Sequence, residues 1–111
     1  MIIRDQIAKK KKDFILLCES HNVKYLYAFG SSKDERFDPK NSDIDLLVEI
    51  DSPDPIDRGE KLLSLWDLFE NFFNRKVDLL TESSIRNPYL KKSIESTKVL
   101  IYDGPGQKVS I

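Results

Sequence analysis

The chain has 111 residues, with 18 basic and 19 acidic side chains, a net charge of −1 and an ordinary hydrophobic share of 40%. A chain of that length builds one domain around one core, and its charge balance excludes a whole-molecule field that favours nucleic acid. The single Cys18 excludes an internal disulfide framework, the start Met1-Ile2-Ile3-Arg4-Asp5 turns charged too early for a signal peptide, and no apolar run nears the roughly 18 residues that span a bilayer. A reducing cytoplasm is the expected setting.

Residues 3–20 read as a helix, with Ile3, Ile7, Phe14, Leu17 and Cys18 near one stripe and Cys18 a buried thiol. The lysines at 9–12 cross the solvent face. They could hold phosphate backbones, but acidic residues flank them, and the run reads as a solvated face. His21 and Asn22 end the helix, since Asn tolerates left-handed geometry. His21 is the only histidine; with no second imidazole and no nearby thiol it is a poor zinc ligand and reads as a surface or cap residue.

Residues 23–29 are β-branched and aromatic and read as a strand that stops at Gly30. Ser31 follows, and residues 32–36 read as a short helix. A glycine lets the backbone turn tightly and approach a ligand, and the free N–H groups of a helix start favour anions such as phosphate. Ser31 reads equally as a plain N-cap. Residues 37–42 are a turn-rich connection.

The strand over 44–50 alternates cleanly. Ile44, Leu46, Val48 and Ile50 share one face, while Asp43, Asp45, Leu47 and Glu49 share the other. Asp43 and Asp45 are either solvated charges on an open face or a repelling pair that a cation relieves. An oxygen-only pair suits Mg²⁺, which takes one or two carboxylates together with substrate phosphates.

A proline-stiffened loop at 51–55 leads to a helix over 56–73, whose apolar stripe is wider than one core-facing surface requires. Either part of it meets a protein partner, with Trp66 and Phe69 or Phe73 as anchors, or the helix is wedged between a sheet and the first helix. Residues 75–80 read as a third strand. If Val77 and Leu79 enter the core beside Ile44 and Leu46, Asp78 joins Asp43 and Asp45 on the far face. Pro88 suits the first turn of a helix over 88–95, and residues 98–102 read as a last short strand. No repeat or low-complexity tract is present.

Taken together, Phe29-Gly30-Ser31, the residues 32–42, Asp43-Ile44-Asp45-Leu46-Leu47-Val48 and Val77-Asp78-Leu79-Leu80 resemble the minimal nucleotidyltransferases of the DNA polymerase β superfamily. Residues 87–94 and 99–102 are similar to the usual end of those short proteins, and the likeness spans residues 10–103. It implies an α/β (α+β) nucleotidyltransferase fold, a small mixed sheet flanked by helices, over residues 1–103, with 104–111 a flexible tail. It also implies Mg²⁺-dependent transfer of AMP from ATP to a hydroxyl of a partner protein, in an antitoxin paired with a HEPN-domain ribonuclease toxin. Asp43, Asp45 and Asp78 would be the catalytic and metal-holding residues, and Gly30, Ser31 and Arg36 would bind the nucleotide.

Family members commonly carry an Arg-x-Arg-Gly run straight after Gly-Ser, followed by a gap one residue shorter. Residues 32–37 hold no glycine and place an acid where an arginine is expected, so Arg36 or Lys33 would take the triphosphate role across the extra residue. Two other functions remain open. One is a binding antitoxin that neutralises its partner by complex formation, and the other is nucleotidyl transfer to a small molecule or an RNA end. Neither a membrane nor direct nucleic-acid binding is expected, and assembly with itself or with the partner is left open.

Overall fold

The computed structural model describes residues 2–30, 43–106 and 108–110. Two helices open the chain, α1 (Ile2–Lys9) and α2 (Lys11–Ser20), followed by strands β1 (Val23–Ala28) and β2 (Ile44–Ile50). Helix α3 (Pro55–Phe73) leads to β3 (Val77–Leu80), a 3₁₀ turn at Glu82–Ser84, helix α4 (Pro88–Thr97), and strands β4 (Val99–Asp103) and β5 (Lys108–Val109). The sheet order is β3-β2-β1-β4-β5. The pair β2–β3 is parallel, and the other pairs are antiparallel. This is the mixed sheet with flanking helices expected from the sequence.

Local chemistry sets the element ends. The side chain of Asp54 accepts the Ile56 N–H at 3.1 Å, Pro55 takes the first helical position, and Asn74 closes α3 at φ 51°. Asn87 likewise caps α4, accepting from Tyr89 and Leu90, with Pro88 behind it. Asn22 adopts φ 55° just past α2, the left-handed geometry anticipated there. His21 caps α2 and also ties it to α3, with Nδ1 at 2.9 Å from the Leu17 carbonyl oxygen and Nε2 at 2.9 Å from Ser64 Oγ.

The first helix differs from its expected form. Lys10 leaves helical geometry at φ −133°, ψ 46°, and splits residues 3–20 in two. The break falls inside the lysine run, where like charges spaced along a helix weaken it. Both halves still bury their stripe, since Ile3, Ile7, Phe14 and Cys18 are all within 1% of full burial.

The main core lies between the sheet and helices α1, α2 and α3. Ile44, Leu46 and Val48 of β2 meet Val77 and Leu79 of β3, Leu26 of β1, and Leu65, Phe69 and Phe73 of α3. Phe14 is the hub of this layer. Its ring lies 5.8 Å from Phe69, 5.5 Å from Phe72, 6.3 Å from Phe73 and 6.5 Å from Tyr102. The wide stripe of α3 is therefore a wedge between sheet and helices. Phe69 and Phe73 are 0% and 1% exposed, and the half-buried Trp66 donates its indole N–H to the Val77 carbonyl at 2.6 Å. These three side chains belong to the core and are not anchors for a partner.

A second, smaller core occupies the other face of the sheet, where Ile94 of α4 covers Leu47 and Phe29, with Tyr27, Leu80 and Ile85 around them. Leu47, which the alternation places among the polar residues of β2, is buried there at 5% exposure. Residues Lys108 and Val109, which the sequence reading leaves in a tail, pair with Asp103 and Tyr102, and Val109 packs against the main core. No helix among the described residues is long and apolar enough to cross a membrane.

Because Phe14 meets four rings at once, Phe14→Ala should leave a cavity that the neighbours cannot close. The expected loss is about 3–5 kcal/mol. Denaturant titration checks it, with the midpoint falling and the slope unchanged.

Candidate active site

The parallel register of β2 and β3 builds the site. Ile44 stands beside Val77, Asp45 beside Asp78, and Leu46 beside Leu79. The flanking pairs are buried, so the pleat turns Asp45 and Asp78 together onto the opposite face. The outer edge of β3 is held by α3. Glu70 Oε2 accepts the Val77 N–H at 3.0 Å, and Trp66 donates to the Val77 carbonyl. Both edge groups of the residue before Asp78 are thereby satisfied, which fixes the strand that carries it.

Gly30 reaches the same place from β1. It has φ +62°, and a Cβ built on it would lie 2.7 Å from Asp45 Oδ2. Only a residue without a side chain fits this approach at low cost. The neighbouring Phe29 N–H donates to the Asp45 carbonyl oxygen at 3.2 Å, fixing the end of β1 against the start of β2.

The electrostatics converge on Asp45. Burial first, and then the charges of Asp78 and Asp43, together push its carboxyl from the usual 3.8 up to about 6. Asp43 and Asp78 are themselves exposed. Thus Asp43, Asp45, Asp78 and the backbone of Gly30 share one locality, whereas Ser31 and Arg36 lie outside the described residues. Among the described residues no three acidic, imidazole or thiol side chains already form a closed metal cage. The donor chemistry nonetheless fits a hard cation completed by substrate phosphates, because Mg²⁺ commonly takes only one or two carboxylates from a protein. A half-buried carboxylate flanked by two others is an anionic pocket that such a cation would relieve.

The profile of the nucleotidyltransferase domain family matches residues 9–101. The chain belongs to that family. Relatives in Methanocaldococcus jannaschii agree with this placing of the nucleotidyltransferase. One, provisionally named a protein adenylyltransferase, is 38% identical over 101 residues, covering 89% of this chain and 94% of its own. A second with the same kind of name is 37% identical over 99 residues, at the same coverage of both chains. Among solved structures, one described provisionally as a minimal nucleotidyltransferase superposes with a TM-score of 0.56 at 24% identity, covering 83% of this chain and 90% of that one. A toxin–antitoxin crystal structure with AMP-PNP gives 0.52 at 24% identity, covering 83% and 72%. At these identities the two structures speak to the fold.

Beyond the carboxylates, the same region of the nucleotidyltransferase holds a groove of about 580 Å³ walled by Tyr27, Leu47, Glu49, Arg58, Gly59 and Thr81, among others. The Lys98 ammonium, also in its wall, lies 4.2 Å from the centre of the Tyr27 ring. None of the three aspartates lines it. Sequence reading did not find this groove, because its walls come from five separate segments. The one available signal was a glycine, Gly59, inside a stretch of helical pattern.

The raised carboxyl of Asp45 has a stability consequence. Its folded value lies above its ordinary one, so its contribution is fully present below about pH 3.8 and is lost as pH rises through about 6. Without added metal, Asp45→Asn should escape this loss. Melting curves should show the variant pulling ahead of the parent between pH 4 and 6. Above that window the lead should hold steady at about 1 kcal/mol, after allowance for solvent screening of a half-buried group.

Proposed function

We propose that this nucleotidyltransferase moves AMP from ATP onto a hydroxyl of a partner protein, with Mg²⁺ as cofactor, and that it serves as the antitoxin of a HEPN-domain ribonuclease toxin. The observation that carries this reading is the register that sets Asp45 beside Asp78 with the Gly30 backbone against Asp45. The relatives provisionally named protein adenylyltransferases support the choice of a protein acceptor, since the match runs over nearly all of both chains. A complex of a tri-AMPylated HEPN toxin with an MNT antitoxin shares the fold and suggests the partner.

Gly30 and Ser31 would receive the β and γ phosphates, with Arg36 adding charge. Asp43 and Asp45, together with Asp78, would hold Mg²⁺, which when bound offsets the negative charge of the triphosphate and of the departing pyrophosphate. The acceptor oxygen forms its bond to the α-phosphorus while the bond from that phosphorus to the α,β-bridging oxygen breaks. Pyrophosphate leaves with the electron pair. Where it does not complete the metal site, Asp78, exposed and adjacent to Asp45, would take the hydroxyl proton.

Labelled ATP, Mg²⁺ and the protein encoded beside this chain test the reading. The double variant Asp43→Asn, Asp45→Asn should lose AMP transfer altogether while keeping its melting temperature or raising it. Transfer by the double variant at the parental rate would remove the carboxylates from the chemistry. Gly30→Val should also abolish transfer, because its side chain collides with Asp45 and its β-branch resists a positive φ. A calorimetric titration with ATP checks that it fails at nucleotide binding.

A further inference from the structure

We infer that the groove beside Gly59 seats the acceptor, an extended polypeptide segment that delivers its hydroxyl to Asp45 and Asp78. This rests on the transfer reading above and adds to it the direction of approach and the surface used. In-line displacement at phosphorus requires the attacking oxygen to enter opposite the leaving pyrophosphate. If the terminal phosphates lie at Gly30, the acceptor arrives from the side of Asp45 that faces away from Gly30. Along β2 that direction leads from Asp45 to Leu47 and Glu49, same-face neighbours about 6.6 Å apart. The groove opens there, with Leu47 and Glu49 in its wall.

Three further observations bear on what it takes. The β2–β3 register ends at Leu47 beside Leu80, while β2 continues to Ile50, so on the β3 side residues 48–50 flank the groove, with β1 paired along their other edge. An extended peptide is the natural occupant beside such a strand flank. The walls mix Arg58 and Lys98 with Glu49 and Glu82, over Tyr27 and Leu47. Two carboxylates oppose a phosphate backbone, whereas the mixture suits the charges, carbonyls and side chains of a polypeptide.

Gly59 is the third observation. It is the fifth residue of α3, and a Cβ added there meets nothing within 4 Å. Glycine in a helix interior is less favourable than alanine. No packing in the described structure asks for it. What the glycine does is leave the groove wall low where a polypeptide would pass.

The test compares the parent with Gly59→Trp and with the smaller Gly59→Glu, each co-expressed with the protein encoded beside it. Three readings are taken on the same samples: melting temperature, Mg²⁺-ATP binding, and transfer of label from α-labelled ATP to the partner. Both variants should fold, bind Mg²⁺-ATP as the parent does, and label the partner at least roughly tenfold more slowly, a loss of about 1.4 kcal/mol in acceptor recognition. Parental transfer by both variants overturns the inference. So does equal loss of ATP binding, which would make the groove the seat of the nucleotide, and so does labelling of a short RNA 3′ end in place of the partner. If the parent itself binds no Mg²⁺-ATP, the underlying transfer reading falls, a result distinct from any of these.

Discussion

The parallel pairing of β2 with β3 is the constraint on which the site depends. In a sheet with one face on the main core, a slip of one residue exchanges every inward and outward side chain. Asp78 would then enter the layer now filled by Val77 and Leu79, opposite the Phe69 and Phe73 wedge. That outcome is excluded by burial energy on one side and by α3 on the other, since Trp66 and Glu70 grip the two outward backbone groups of Val77. The helix that connects the two strands thus also clamps the second strand in register. The distance between two carboxylates is set by hydrophobic packing on the opposite side of the sheet.

The same packing underwrites an unfavourable arrangement. A carboxyl held at about 6 by burial and by two like charges is a local cost to the fold, borne without metal. Gly30 adds a second cost, a positive φ and a close approach to Asp45 that no other residue would make cheaply. Neither feature helps the core. Among the described residues both sit at the start of β2, next to the cluster that Ile94 of α4 makes with Leu47 and Phe29. Strain and charge concentrated at one end of an otherwise well-packed sheet is the arrangement expected of a binding site for a polyanion and its counter-cation.

Much of this was legible in the residues. The two-residue period of β2 and β3 gave the inward set correctly, because Ile44, Leu46, Val77 and Leu79 have no polar competitor for the core. The parity of Asp45 and Asp78 then followed. Pro88 announced the start of α4, whereas the caps made by Asp54 and Asn87 emerge only in the structure. Several unforeseen features depend on contacts distant in sequence. Periodicity placed Leu47 on the outward face but could not say that Ile94 would cover it. The wide stripe of α3 could not be divided between core and partner until Phe14 was seen against Phe69, Phe72 and Phe73. The pairing of Lys108 and Val109 with β4 rests on two residues, too few to carry a pattern.

The two faces of the sheet therefore do different work. The face under α1, α2 and α3 is closed by rings and aliphatic side chains and supplies stability. Among the described residues the other face is covered in its middle, by Ile94 over Leu47 and Phe29. On one side of that cover lie Asp45, Asp78 and Gly30, and on the other lies the groove with Tyr27, Glu49 and Gly59. A small cover between two open regions keeps Leu47 fixed, so that the step from the carboxylates to the groove is set by strand geometry and not by a loop. Rigid spacing of this kind is what a transfer reaction requires, because a misplacement of about 1 Å between acceptor and phosphorus can cost on the order of a hundredfold in rate. The sheet supplies that spacing through its backbone hydrogen bonds and the core packed beneath it, leaving the side chains on its open face free to differ in charge and shape without moving the site.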